Sequence, residues 1–125
     1  MDDLLLKRAV AAERSRFVAA AGTGDPAGAW RALERAHILS QPLLIPHLRV
    51  HGWMLIYALR LGDIREVAGQ ALRLALAPLG AVTGRTPAGN NGRARVSAFA
   101  PMAVPPDIQA ILARALGAEG RLGRE

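Results

Sequence analysis

Three features of this 125-residue sequence predict an all-α fold. Four amphipathic segments precede residue 78, each with apolar residues returning every three or four positions. A glycine stop followed by an aspartate cap punctuates them, at Gly24-Asp25 and again at Gly62-Asp63. The stretches GDPAGAWRALERA and GDIREVAGQALRLA echo each other at a shift of 38 residues, from Gly24 to Gly62. That echo has the look of tetratricopeptide-type helical hairpins. Two hairpins fall short of a solenoid, so the sequence predicts two antiparallel hairpins in a compact bundle, followed by a long ordered loop and a C-terminal helix.

Helix 1 is expected from about Asp3 to Ala21, ending at Gly22-Thr23-Gly24. Its apolar face is Leu6, Ala9, Val10, Phe17 and Ala20, with Glu13 in the middle. Asp25 then caps helix 2, with Pro26 at the first helical position, where its missing N–H costs nothing. Helix 2 runs to about Ser40 and stops before Pro42. Helix 3 begins around Leu44 to Pro46 and runs to Leu61, where Gly62 provides the C-terminal stop. Asp63 caps helix 4, expected to end near Ala77-Pro78. Helix 5 is expected over about Pro106 to Leu116, after the proline-rich VPPD. The tail at 117–125 is expected to fray. Residues 1–125 form one domain in this reading, with its core at about 3–116.

Residues 79–104 carry many Gly, Asn and Pro and no helical period. A coil of that length in a small domain is often functional. It is expected to lie across the helices, with Phe99 and Met102 as apolar anchors. ARVSAF has the pattern of one short strand, but no partner strand is evident. Arg85, Asn90, Asn91, Arg93 and Arg95 sit among glycines here, a composition suited to holding an anion. The competing reading is a turn-rich loop, with Asn91-Gly92 as a tight turn.

Composition narrows the function classes. Cysteine is absent, which removes disulfides, thiolate metal sites and thiol catalysis together. MDDLLLKRAV does not resemble a signal peptide, and no window reaches the ~20 apolar residues of a membrane span. A cytoplasmic bacterial protein is the reading, with no membrane partner. The net charge of +6 rests on arginines spread from Arg8 to Arg124, with Lys7 the one lysine. That spread, and an aromatic content of 4%, argue against a nucleic-acid surface. Ser15, Ser40 and Ser97 have no nucleophile context, so no catalytic residue is assigned.

The chemistry lies in ERAHILSQPLLIPHLRVHGWML, which holds all three histidines: His37, His47 and His51. At 100° per residue His51 falls about 40° from His47 on helix 3, close to Met54 and Ala58 on the inward stripe. An i, i+4 histidine pair is the spacing that two imidazoles need to share a metal. On helix 2, Glu34 and His37 form an i, i+3 pair of the kind that ligates metals in helical bundles. A short connection brings the end of helix 2 level with the start of helix 3, so these groups converge. Glu13 is buried in an apolar stripe and needs either a cation or an arginine. The metal set is therefore His37, His47 and His51, with Glu34 and then Glu13 as further ligands. Glu66 and Gln70 on helix 4 are candidates to hold the ligands in place. Three nitrogens and a carboxylate suit a divalent transition metal, zinc or iron first, then nickel or manganese. The alternative is a protein-interaction module whose histidines are structural and whose glutamates pair with Arg14, Arg31 or Arg49. Trp53, off the inward stripe, suits a neighbouring element or a second subunit in a homodimer.

The blocks LERAHILSQP, HLRVHGWML, GDIREVAGQ and LAPLGAVTGRTPAGNNGRARVSAFAPM together resemble the bacterial family of unknown function numbered 3703. The resemblance covers about Trp30 to Leu112. It implies a small, mostly helical bacterial protein, and it lends no residue a catalytic role.

Overall fold

Three of the helices open on an aspartate. A computed structural model describes residues 1–83, 92–93 and 103–122 of the chain as five helices: α1 (Asp3–Gly22), α2 (Pro26–Ser40), α3 (Leu44–Leu61), α4 (Ile64–Thr83) and α5 (Pro106–Leu122). Asp2, Asp25 and Asp63 each accept a hydrogen bond from a backbone N–H three residues on, at 2.9, 3.0 and 3.1 Å. These caps satisfy donors that the first helical turn leaves over. Helix α3 starts from an extended Leu43 without a side-chain cap. Gly24 and Gly62 both have φ of 70°, the left-handed conformation that lets the chain leave one helix and enter the next within two or three residues.

Helix α2 is the centre of the packing. It lies against α1, α3 and α5, while α4 pairs with α3 and α5 returns to α1. Its sequence is apolar around most of its circumference, and nine of its residues are buried, among them Leu33, Ala36 and Leu39. Val10, Val50, Met54 and Ile108 close the core around it. Phe17, Trp30 and Tyr57 bring α1, α2 and α3 together by edge-on ring contacts with centroids 5.2 Å apart. The backbone N–H of Asp2 donates to Ala115 O at 2.9 Å, tying the start of the chain to α5. Among the described residues no helix is long and apolar enough to cross a membrane.

Two boundaries differ from the sequence reading. Helix α4 continues through Pro78 to Thr83, so the expected coil loses its first residues. A proline removes one helical hydrogen bond and is unfavourable by about 3 kcal/mol, which a long amphipathic helix can absorb. Helix α5 likewise runs through Gly117 to Leu122, past its expected end near Leu116. One glycine costs a helix only about 1 kcal/mol. The ARVSAF segment, Phe99, Met102, Arg85, Asn90, Asn91 and Arg95 lie outside the described residues.

Candidate metal centre

His37 occupies the last turn of α2 and His47 the first turn of α3. The intervening turn is tight, with Leu43 N–H donating to Ser40 O at 2.8 Å. His51 follows His47 one turn along α3 on the same inward face. All three rings are buried, and their Nε2 atoms form a nearly equilateral triangle. The sides are 3.1 Å for His37–His47, 3.2 Å for His37–His51 and 3.0 Å for His47–His51. Among the described residues this is the one cluster of His, Asp or Glu side chains close enough to hold an ion.

The protonation states follow from burial and from Gln70. Burial pushes the His47 imidazole down to about 4, helped by the neighbouring His51. His51 is also lowered, first by burial and then by Arg73, against the opposing effect of the hydrogen bond it donates to Gln70. Gln70 Nε2 donates to Gly92 O at 2.7 Å, which turns the amide oxygen toward His51 Nδ1, also at 2.7 Å. An amide oxygen only accepts, so His51 carries its proton on Nδ1 and presents a bare lone pair at Nε2.

That lone pair makes the triangle impossible to satisfy with neutral rings alone. If His37 and His47 both carry Nε2 protons, those two protons face each other across 3.1 Å. If one of them does, at least one side of the triangle sets two lone pairs together. A single cation accepting all three lone pairs satisfies every side. Three imidazole nitrogens would hold a divalent ion such as zinc and would not by themselves complete its coordination.

Gly92 and Arg93 come to this site from the segment between α4 and α5. A Cβ built on Gly92 would lie 2.6 Å from His37 Cδ2 and 2.8 Å from Cγ, and φ at Gly92 is 79°. Only glycine fits both the ring contact and the backbone. Gly92 therefore holds His37 by packing and His51 through Gln70. Arg93 donates to Glu66 Oε1 through Nε and to Glu34 Oε1 through Nη1 at 3.2 Å, and its guanidinium lies 3.8 Å from the Trp30 ring centre. Burial raises the Glu34 carboxyl, with Arg93 as the main opposing influence.

The sequence placed Glu34 and Glu13 beside the histidines, and the structure does not bring them there. Glu34 is occupied by Arg93, and its carboxylate lies outside the three-nitrogen cluster. Glu13 accepts from Arg16 and, at 2.9 Å, from Arg35, which also grips Asp107 with both amino groups. That network joins α1, α2 and α5 away from the histidines. The arginine partners are thus Arg16, Arg35 and Arg93, not Arg14, Arg31 or Arg49. Arg93, read as an anion holder, is a clamp on two carboxylates. Trp53 lies under the Arg14 guanidinium, 5.5 Å from its ring centre. Gln70 does reach the site, while Glu66 stands behind it. Gly92 and Arg73 were missed. Gly92 was legible as half of an Asn-Gly turn, and Arg73 as one turn beyond Gln70 on the same face of α4.

The family described as "Protein of unknown function (DUF3703)" matches residues 5–112 of the chain. No curated protein and no solved structure gives a match.

Proposed function

We propose that this chain, which belongs to the DUF3703 family, binds one divalent transition-metal ion through the Nε2 atoms of His37, His47 and His51. The observation that carries the reading is the triangle of nitrogens with sides of 3.0 to 3.2 Å, which no arrangement of protons on neutral rings satisfies. The surroundings support it. His51 is oriented by a partner on its far nitrogen, as metal-bound histidines regularly are. His47 is held neutral, so an ion displaces no proton from it near pH 7. Zinc and iron fit an imidazole set best, with nickel and manganese behind them.

Elemental analysis tests the reading. Protein prepared without a histidine tag or chelator is expected to take up one zinc or iron ion per chain, and a triple H37A/H47A/H51A variant none. Wild-type protein that refuses zinc, iron(II) and nickel would defeat the proposal.

A second reading, a helical interaction module, draws on α3. Ile45, Ile56 and Leu59 are 57%, 53% and 59% exposed and share one side of that helix, opposite the histidines. Exposed apolar side chains along one helical line suit a protein partner or a second copy. Sedimentation of the wild type and an I56E/L59E variant tests it: a change of mass in the variant supports the interface, and an unchanged monomer removes it.

A further inference from the structure

We infer that the cleft between α1 and α3 binds a small aromatic carboxylate. The inference does not depend on the metal reading, because the cleft and the three imidazoles share no residue.

Helical spacing builds the cleft. Lys7, Val10 and Arg14 recur at i, i+3 and i+7 on α1, and Pro46, Arg49 and Trp53 recur at the same spacing on α3. These two stripes line a cavity of about 210 Å³. One turn further along both helices the edge-on Phe17–Tyr57 pair, with ring centres 5.2 Å apart, brings α1 and α3 together. The volume is below the roughly 300–1,000 Å³ of a site for a drug-sized molecule, so the occupant is small.

The lining states its chemistry. Val10, Pro46 and Trp53 give an apolar wall, and Lys7, Arg14 and Arg49 carry the charge. No acidic residue lines the cavity. Among the described residues none of the three cations has a carboxylate partner. Arg14 lies on the Trp53 ring, 5.5 Å from its centre, a contact that uses the face of the guanidinium and leaves its N–H groups for an acceptor. Like charges along a cleft with apolar walls concentrate a counter-ion there. The cavity of about 350 Å³ between α1, α2 and α5 is the contrast, since its Arg16 and Arg35 are already paired with Glu13 and Asp107. The half-buried Trp53 ring suits a flat apolar partner, and the arginines suit a carboxylate. One ring system bearing one carboxylate meets both demands within this volume.

Nitrogen-15 NMR of the full chain gives the test. The protein is titrated with 2-naphthoate, and separately with the neutral 2-naphthalenemethanol, inorganic phosphate and the peptide N-acetyl-Phe-Glu-amide, at constant ionic strength. The indole N–H signal of Trp53, assigned with W53F, is the readout, and that of the buried Trp30 is the internal control. The expected result is a saturable shift of Trp53 alone with naphthoate, about tenfold weaker binding of the alcohol, and a similar loss of naphthoate affinity in K7Q/R49Q. Lys7 and Arg49 are exposed, so an unmoved Trp30 signal should show that the variant keeps the fold. A Trp53 signal that naphthoate leaves in place would overturn the inference. Equal affinity for naphthoate and the alcohol, or full naphthoate affinity in K7Q/R49Q, would remove the carboxylate from it. Phosphate binding as tight as naphthoate would make this a general anion site, and tighter binding of the peptide would assign it to a protein partner; either contradicts the inference. The comparison of naphthoate with its alcohol uses wild-type protein, so it decides the matter even if the variant does not fold.

Discussion

Gly92 and Gln70 show how single residues without any metal-binding chemistry of their own can decide whether three histidines form a site. Gln70 fixes the His51 proton on Nδ1, and Gly92 fixes both Gln70 and the His37 ring. Replacing Gln70 by Ala should weaken zinc affinity by roughly 10–100-fold with the fold intact, the usual consequence of removing the partner of a ligating histidine. Competition against a colorimetric zinc chelator measures it, and undiminished affinity would count against the tautomer argument. Gly92→Ala should lower affinity by a comparable factor, because its methyl group meets the His37 ring and a non-glycine residue is strained at φ of 79°. The histidines also set a pH dependence. His47 and His51 titrate lower in the folded chain than their ordinary value, so the unfolded chain binds protons first. In the presence of a chelator, stability should be flat above about pH 6.5. It should fall as the pH drops from there toward 4, where the folded chain begins to take up protons too. Urea unfolding midpoints between pH 4 and 8 test this, and a rise in stability on acidification would contradict it.

At the scale of elements, α2 and α3 form the site and the connection from α4 to α5 holds it. Arg93 is the fastening point, since it pairs with one glutamate from α2 and one from α4 and lies on Trp30. Replacing it by Ala removes its ion pair with Glu66, a carboxylate that is 2% exposed. The loss should be on the order of 3 kcal/mol, read from chemical denaturation, a size expected for breaking a buried ion pair from one side. A double E66Q/R93A variant should recover part of that loss, because it removes the stranded charge. What the sequence revealed follows the same division. The helices were legible from their caps, since Asp25 and Asp63 act locally. The convergence of His37, His47 and His51 was legible because helical period and a short turn decide it. The place of Glu34 was not. A wheel puts it on the inward side of α2, but its partner Arg93 is 59 positions away in a segment with no helical period. Long-range pairing of that kind leaves no periodic trace. The same is true of Glu13 and Arg35, 22 positions apart, where arginine took the place proposed for a metal.

For the whole molecule, a metal ion bound as proposed would add a link between helices that the apolar core already joins. Phe17, Trp30 and Tyr57 pack α1, α2 and α3 together, while the histidines connect α2 to α3 and, through Gln70, to α4. An ion that binds the folded chain alone adds RT ln(1 + [M]/Kd), about 2.7 kcal/mol at one hundred times Kd. Zinc should therefore raise the melting temperature by roughly 8–14 °C at that concentration, given about 3–5 °C per kcal/mol for a chain of this size. The triple-alanine variant should show no such rise in a thermal scan. The most direct test of the central claim is X-ray absorption at the metal edge of the loaded protein. Three imidazole nitrogens at about 2.0–2.1 Å, with the remaining positions filled by light atoms, is the result predicted here. A first shell of oxygens alone, or one with a single imidazole, would contradict it.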